Sequence, residues 1–71
     1  MKKKSDNTAS SFTVYHKLFI FGEWIQNNSY EFLSDAETEA KLMSKNSGKA
    51  KVVDNRTGDV VLLYRNSRRV V

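Results

Sequence analysis

A single segment of this chain, residues 35–46, has the pattern of an amphipathic helix. Ala36, Ala40 and Met43 project from one side of that helix, and the two alanines suit close packing on a sheet. Strand-like segments precede and follow it. Because one helix covers only one face of a sheet, the pattern predicts an α+β fold of two layers, in the order β-β-α-β-β, with one helix on a four-stranded, mainly antiparallel sheet.

The two ends of the helix carry residues with known capping preferences. Ser34 and Glu37 have the spacing of a capping box, in which each side chain accepts a backbone N–H of the other residue. Asn46, Ser47 and Gly48 favour a helix C-terminus. The sequence therefore predicts a helix that is capped at Ser34 and ends just before Gly48.

The region before the helix predicts two strands of unequal length. β-branched and aromatic residues dominate 13–21, which predicts a first strand. Gly22 and Glu23 can reverse the chain, so 24–26 predicts a short returning strand. The polar run 27–29, Asn-Asn-Ser, is typical of a turn.

A hairpin is the clearest local prediction after the helix. Two β-rich runs within 49–65 flank the sequence Asp-Asn-Arg-Thr-Gly at 54–58. Gly58 can take the positive φ that a type I turn with a bulge requires. The two runs are therefore expected to pair as neighbouring antiparallel strands.

The remaining residues divide the chain into one domain and two ends. Residues 1–11 are polar and aperiodic, so they predict a disordered basic and polar lead, and 12–65 predicts the single domain. Residues 66–71 are expected to leave the domain as a basic tail, although Val70 and Val71 could extend a sheet edge.

The net charge of +4 is concentrated at the two ends of the sequence. Residues 1–12 and 66–71 each carry a net charge of +2, while 13–65 contains seven basic and seven acidic side chains. A basic total indicates nucleic-acid binding only where cations form a patch on one surface. The composition alone therefore favours solubility as the role of the charged ends, with non-specific phosphate contact as the alternative.

Enzymatic chemistry has no support in the pattern of residues. The chain has no Cys, so it has neither a disulfide nor a thiolate, and no spacing of His and carboxylates suits a metal. His16 is the sole histidine, and its place on an apolar strand face predicts a hydrogen-bonded or edge residue rather than a base. We expect no enzymatic activity, no catalytic residue, no metal and no cofactor. A polar segment follows the basic start and no apolar run reaches membrane length, so we expect a cytoplasmic protein without a membrane partner.

Small size makes a partner the expected source of extra stability. Val60, Leu62 and Tyr64 alternate with Val61 and Leu63, so the last strand is apolar on both faces. A chain of 71 residues is marginally stable alone, and oligomerisation is the remaining support without a disulfide or metal. The pattern favours a homodimer or a protein partner at the helix-free sheet face or a sheet edge, and a monomer is the alternative.

Two hypotheses of function follow, and the first of them uses the helix-free sheet face. The first is a small non-enzymatic module that acts by protein–protein contact, and its candidate anchors are Phe19, Phe21, Trp24, Val61, Leu63 and Tyr64. The second is nucleic-acid binding by the basic ends together with sheet aromatics, and its candidate residues are Lys2, Lys3, Lys4, Tyr15, Lys17, Arg68 and Arg69.

Overall fold

A computed structural model describes residues 11–17 and 22–71. Its elements are β1 (Phe12–Lys17), β2 (Ile25–Tyr30), α1 (Leu33–Ser47), β3 (Lys49–Asp54), β4 (Asp59–Arg65) and β5 (Arg68–Arg69). The strands pair antiparallel in one sheet of order β2-β1-β3-β4-β5. The expected α+β class is confirmed, with five strands where four were predicted. The last four residues of the predicted strand 13–21 lie outside the described residues, as do residues 1–10 of the predicted lead.

The core lies between α1 and the central strands of the sheet. The register places Val14 beside Val52 and Val52 beside Leu62, which makes a continuous apolar row across β1, β3 and β4. Ala36 and Ala40 of α1 are fully buried against it, as their spacing predicts. Such small side chains let the helix axis approach the sheet closely. The buried hydrophobic residues are Val14, Ala36, Ala40, Ala50, Val52, Leu62 and Tyr64.

The start of α1 differs from the prediction, whereas its end agrees with it. Phe32 is the N-cap residue, with an extended backbone and no side-chain hydrogen bond to the helix. The capping box at Ser34 is therefore wrong, because the helix begins two residues earlier than predicted, at Leu33, and Ser34 already lies in its first turn. Gly48 ends the helix with a φ of 100°, and its N–H donates to the Ser44 carbonyl at 2.8 Å.

The predicted turn at 27–29 is wrong, since this polar run lies inside β2. The β1–β2 register skips one residue here, which makes a β-bulge. Asn27 Oδ1 accepts a hydrogen bond from His16 Nδ1, and the amides of Asn27 and Asn28 donate to Glu39 Oε2 at 3.4 and 3.1 Å. These side chains thus find partners on β1 and α1 that a turn would not provide. The expectation that His16 is hydrogen-bonded is confirmed.

The hairpin between β3 and β4 and the positive φ of Gly58 are confirmed, whereas the bulge lies at Val61 inside β4 and not at the turn. Gly58 has a φ of 81°, and its N–H donates to the Asp54 carbonyl at 2.7 Å. The register then shifts between Val52 and Val53, so β4 carries one extra residue.

The C-terminal segment does not leave the domain, contrary to the prediction. Asn66 and Ser67 have φ values of 51° and 63°, the conformation of a tight hairpin turn, and the chain folds back as β5 beside β4. The turn is attached to the helix end, because Ser67 N–H donates to Ser44 Oγ at 2.8 Å and Asn66 N–H donates to the Gly48 carbonyl at 3.1 Å. Arg68 and the residues after it are therefore part of the sheet edge.

Candidate nucleic-acid interface

Strand alternation divides the sheet into a face under α1 and a helix-free face. In β3, Ala50 and Val52 are fully buried beneath the helix, so Lys49 and Lys51 point to the helix-free face. The same alternation applies to β1 and β4, where Val14 and Leu62 lie in the core. It places Tyr15, Lys17, Val53, Leu63 and Arg65 on the helix-free face as well.

Four basic residues form one straight line across this face, here called the basic row. Lys17 of β1 lies directly opposite Lys49 of β3, and Lys49 lies opposite Arg65 of β4. Arg65 in turn lies opposite Arg68 of β5. With a spacing of about 4.8 Å between strands, the row is about 14 Å long. Within the part of the chain that the structure describes, no carboxylate forms an ion pair with it, and the ion pair found there joins Arg56 to Asp54 in the hairpin loop.

The basic row is expected to destabilise the sheet to which it belongs. Like charges directly opposite each other on neighbouring strands are destabilising, and the row contains three such pairs. An anion bound to the row would offset the repulsion between its cations. Cations gathered on one surface also raise the local concentration of polyanions. The arrangement is therefore typical of a surface that receives a negatively charged ligand.

Two aromatic rings, here called the aromatic pair, lie beside the basic row. The pair consists of Tyr15 of β1 and Trp24, which precedes β2. Lys51 Nζ lies 4.4 Å from the centroid of the Trp24 ring and 5.3 Å from that of Tyr15. Lys17 Nζ lies 5.0 Å from the Trp24 centroid. These cation–π contacts hold both rings next to the ammonium groups of the helix-free face.

On the side of the aromatic pair away from the basic row, the polar side chains of the helix-free face form hydrogen bonds with one another. Thr13 is 4% exposed, and its hydroxyl lies 2.9 Å from Ser29 Oγ. Asn55 of the hairpin loop donates from Nδ2 to Thr13 Oγ1 at 2.7 Å. The helix-free face thus changes along its strands from neutral and hydrogen-bonded, through aromatic, to basic.

The electrically neutral segment 13–65 does not distribute its charged side chains evenly over the domain. Carboxylates of this segment belong to α1, to the hairpin and to the loops around β2, whereas the charged side chains that β1, β3 and β4 direct to the helix-free face are all basic. The inference that basicity belongs only to the chain ends is therefore wrong. The acidic residues of α1 are Asp35, Glu37 and Glu39, and those of the hairpin are Asp54 and Asp59.

The structure separates the six anchors predicted for protein contact. Trp24 and Leu63 are half-buried on the helix-free face, and Val61 is half-buried against the core. Tyr64 is wrongly placed by the prediction, since it is 4% exposed and lies beneath α1, opposite Ala50. Its hydroxyl donates to Glu37 Oε2 at 3.0 Å. The other two predicted anchors, Phe19 and Phe21, lie outside the described residues.

The residues predicted for nucleic-acid binding are partly brought together. Tyr15, Lys17 and Arg68 share the helix-free face, whereas Arg69 lies opposite Tyr64 on the helix side, where its Nε donates to the Val71 carbonyl at 3.0 Å. Lys2, Lys3 and Lys4 lie outside the described residues. Three further cations were missed by sequence reasoning. They are Lys49, Lys51 and Arg65, and their alternation with apolar residues was the available signal.

The buried phenol of Tyr64 makes a testable prediction about alkaline pH. Burial, with the hydrogen bond to Glu37, raises the pKa of Tyr64 above its usual value of 10.0. Above that value the unfolded chain loses the phenolic proton while the folded chain keeps it, so the free energy of unfolding falls as pH rises. Urea unfolding at about pH 9 and about pH 11 should show this fall. Tyr64→Phe should make the fall in the free energy of unfolding smaller. It should not abolish the fall, because the pKa of Tyr30 is raised as well. A variant with the same pH dependence as the wild type would contradict the role of Tyr64.

Comparisons with known proteins leave the site to be interpreted from its own chemistry. Searches against protein-family models, curated proteins and solved structures give no match. Residues 11–17 and 22–71 include no group of three or more His, Asp or Glu side chains arranged to hold a metal ion. In the same ranges, α1 lacks the length and apolar character of a membrane-spanning helix.

Proposed function

We propose that this protein binds nucleic acid through its helix-free sheet face, with the basic row in contact with phosphate groups. The observation that carries the proposal is the register of Lys17, Lys49, Arg65 and Arg68, which aligns four cations with no carboxylate among them. Phosphate contacts by Lys and Arg supply most of the affinity of sequence-independent binding. The aromatic pair beside the row adds surfaces on which bases can stack.

The size of the row sets a quantitative expectation for salt dependence. Each phosphate contact contributes about −0.7 to the slope of log K against log salt for a single strand, and about −0.9 for B-DNA. Four contacts therefore give a slope of about −3. Lys2, Lys3 and Lys4 near the start of the chain would make the slope steeper by adding further contacts.

Protein–protein contact through the same face is the second candidate function. It is favoured by Leu63 and Trp24, whose half-buried apolar surfaces lie on the helix-free face. A homodimer or a complex held by these side chains would tolerate salt, because apolar burial does not release counterions. Salt response therefore separates the two functions, and sedimentation in the absence of nucleic acid reports self-association.

Trp24 makes the nucleic-acid proposal directly measurable, because it is the sole tryptophan of the chain and belongs to the site. Titration with oligothymidylate should quench its fluorescence, with a salt slope of about −3 or steeper. Lys49→Gln should lower the affinity about 5-fold in about 0.1 M salt and reduce the slope by about 0.7. Lys45→Gln on the exposed side of α1 changes the net charge equally and is the matched control.

Two results would overturn the proposal. Absence of binding in low salt by the intact chain would exclude nucleic acid as the ligand. Equal losses in Lys49→Gln and Lys45→Gln would show that only net charge matters and that the basic row is not the contact surface. Circular dichroism of each variant checks that the fold is retained.

A further inference from the structure

We infer that the nucleic acid bound here is single-stranded and crosses the β-strands, with its phosphates along the basic row and its bases over the aromatic pair. This inference rests on the proposed function and specifies its ligand. It is carried by the order of side chains on the helix-free face, where Tyr15 lies two residues before Lys17 on β1. Two residues of a strand cover about 7 Å, so the ring and the row can contact the base and the phosphate of one nucleotide together.

The width of the sheet argues against duplex binding by groove insertion. A two-stranded ribbon fits the major groove of B-DNA, which is about 12 Å wide, whereas five strands measure about 19 Å across. A duplex would therefore meet this face only through its backbone. The stacked faces of its bases would remain covered by their neighbours, and the aromatic pair would have no partner. An unpaired strand supplies both phosphates and open base faces.

Lys51 gives the aromatic pair a way to open when a strand binds. Its ammonium lies over both rings, and a cation–π contact at a half-exposed site is weak compared with the stacking of a base on an aromatic ring. An incoming base can therefore displace the ammonium from a ring. The displaced Lys51 remains on the same face, two residues from Lys49, where it can pair with a phosphate.

The length of the basic row limits the size of the ligand. About 14 Å corresponds to about four nucleotides of a stacked strand with a rise of about 3.4 Å per residue. Because the row ends at Arg68 of β5 and the rings lie at the β1–β2 end, the contacts change along the bound strand. One end of the ligand is held by stacking and the other by charge.

The test uses the full-length protein, two substitutions at one position and three labelled probes of about eight nucleotides, followed by fluorescence anisotropy. The probes are oligothymidylate, an abasic strand of equal length and a duplex of equal length. Oligothymidylate should bind about 10-fold or more tightly than the other two. Tyr15→Val should weaken oligothymidylate binding by about 5- to 100-fold and leave abasic binding unchanged. Tyr15→Phe, which keeps the ring, should bind oligothymidylate like the wild type.

The outcomes separate this inference from the proposed function beneath it. No binding of any probe would end both. Equal affinity for the three probes, or equal binding by the Val and Phe variants, would overturn the single-stranded assignment while retaining nucleic-acid binding through the basic row. If Tyr15→Val loses its circular dichroism signal, Lys49→Gln provides the independent comparison, since it should weaken binding of oligothymidylate and of the abasic strand equally.

Discussion

Replacing Lys49 and Arg65 together by Gln is expected to weaken oligothymidylate binding by about 20-fold in about 0.1 M salt. The same change should raise the free energy of unfolding by about 0.5–1 kcal/mol, since it removes the three like-charge pairs of the basic row. Binding and stability would thus move in opposite directions. That combination is expected of residues retained for a ligand rather than for the fold.

The control for this double variant is the replacement of Lys41 and Lys45 by Gln on α1. Net charge changes by the same amount, but these residues lie toward the C-terminal half of the helix, where cations interact favourably with the helix dipole. This variant should lose a few tenths of a kcal/mol in stability and retain most of the binding. Urea unfolding and anisotropy titration measure the two quantities. A double Lys49/Arg65 variant that loses stability without losing affinity would contradict the role of the basic row.

Leu62→Ala is expected to be the most destabilising of the substitutions considered, at about 2–5 kcal/mol. Leu62 is 3% exposed and lies beneath α1 on β4, opposite Val52 of the central strand β3. A domain of this size has a total stability of about 4–10 kcal/mol, so the loss could remove half of it or more. The small helix residues above Leu62 already contact the sheet. The helix therefore cannot move closer to fill the cavity that the substitution leaves.

Leu42→Ala is the matched control for that prediction. Leu42 lies on α1 with 53% of its surface exposed, so the same truncation there should change stability by less than about 0.5 kcal/mol. Urea-induced unfolding followed by circular dichroism gives both values. Similar losses for the two variants would show that the core does not lie between α1 and the β1–β3–β4 row.

Local features were predictable because their energy comes from residues adjacent in the sequence. The hairpin turn depends on Gly58, whose positive φ follows from the lack of a side chain, and Gly48 ends α1 for the same reason. The alanine spacing of α1 likewise predicts its buried side. These elements establish the α+β class without knowledge of the rest of the molecule.

Predictions failed where a distant partner competed with a local preference. Asn27 and Asn28 have turn propensity, yet they lie in a strand because Glu39 of α1 accepts hydrogen bonds from both. Glu37 has capping-box spacing, yet its carboxylate accepts a hydrogen bond from the hydroxyl of Tyr64. In each case a tertiary hydrogen bond satisfies a group that local rules had assigned to a neighbour in the sequence.

The sequence by itself determined the order of the main elements, the single helix, the hairpin and the amount of charge, because each depends on short-range periodicity or on composition. Only the tertiary structure decided that the C-terminal segment returns as β5 and that cations from four strands stand in one row. The reason is physical: charge summed along a chain ignores the face on which each side chain lies. That face is set by strand alternation, and the alignment of Lys17 with Arg68 is set by register across three strand pairings.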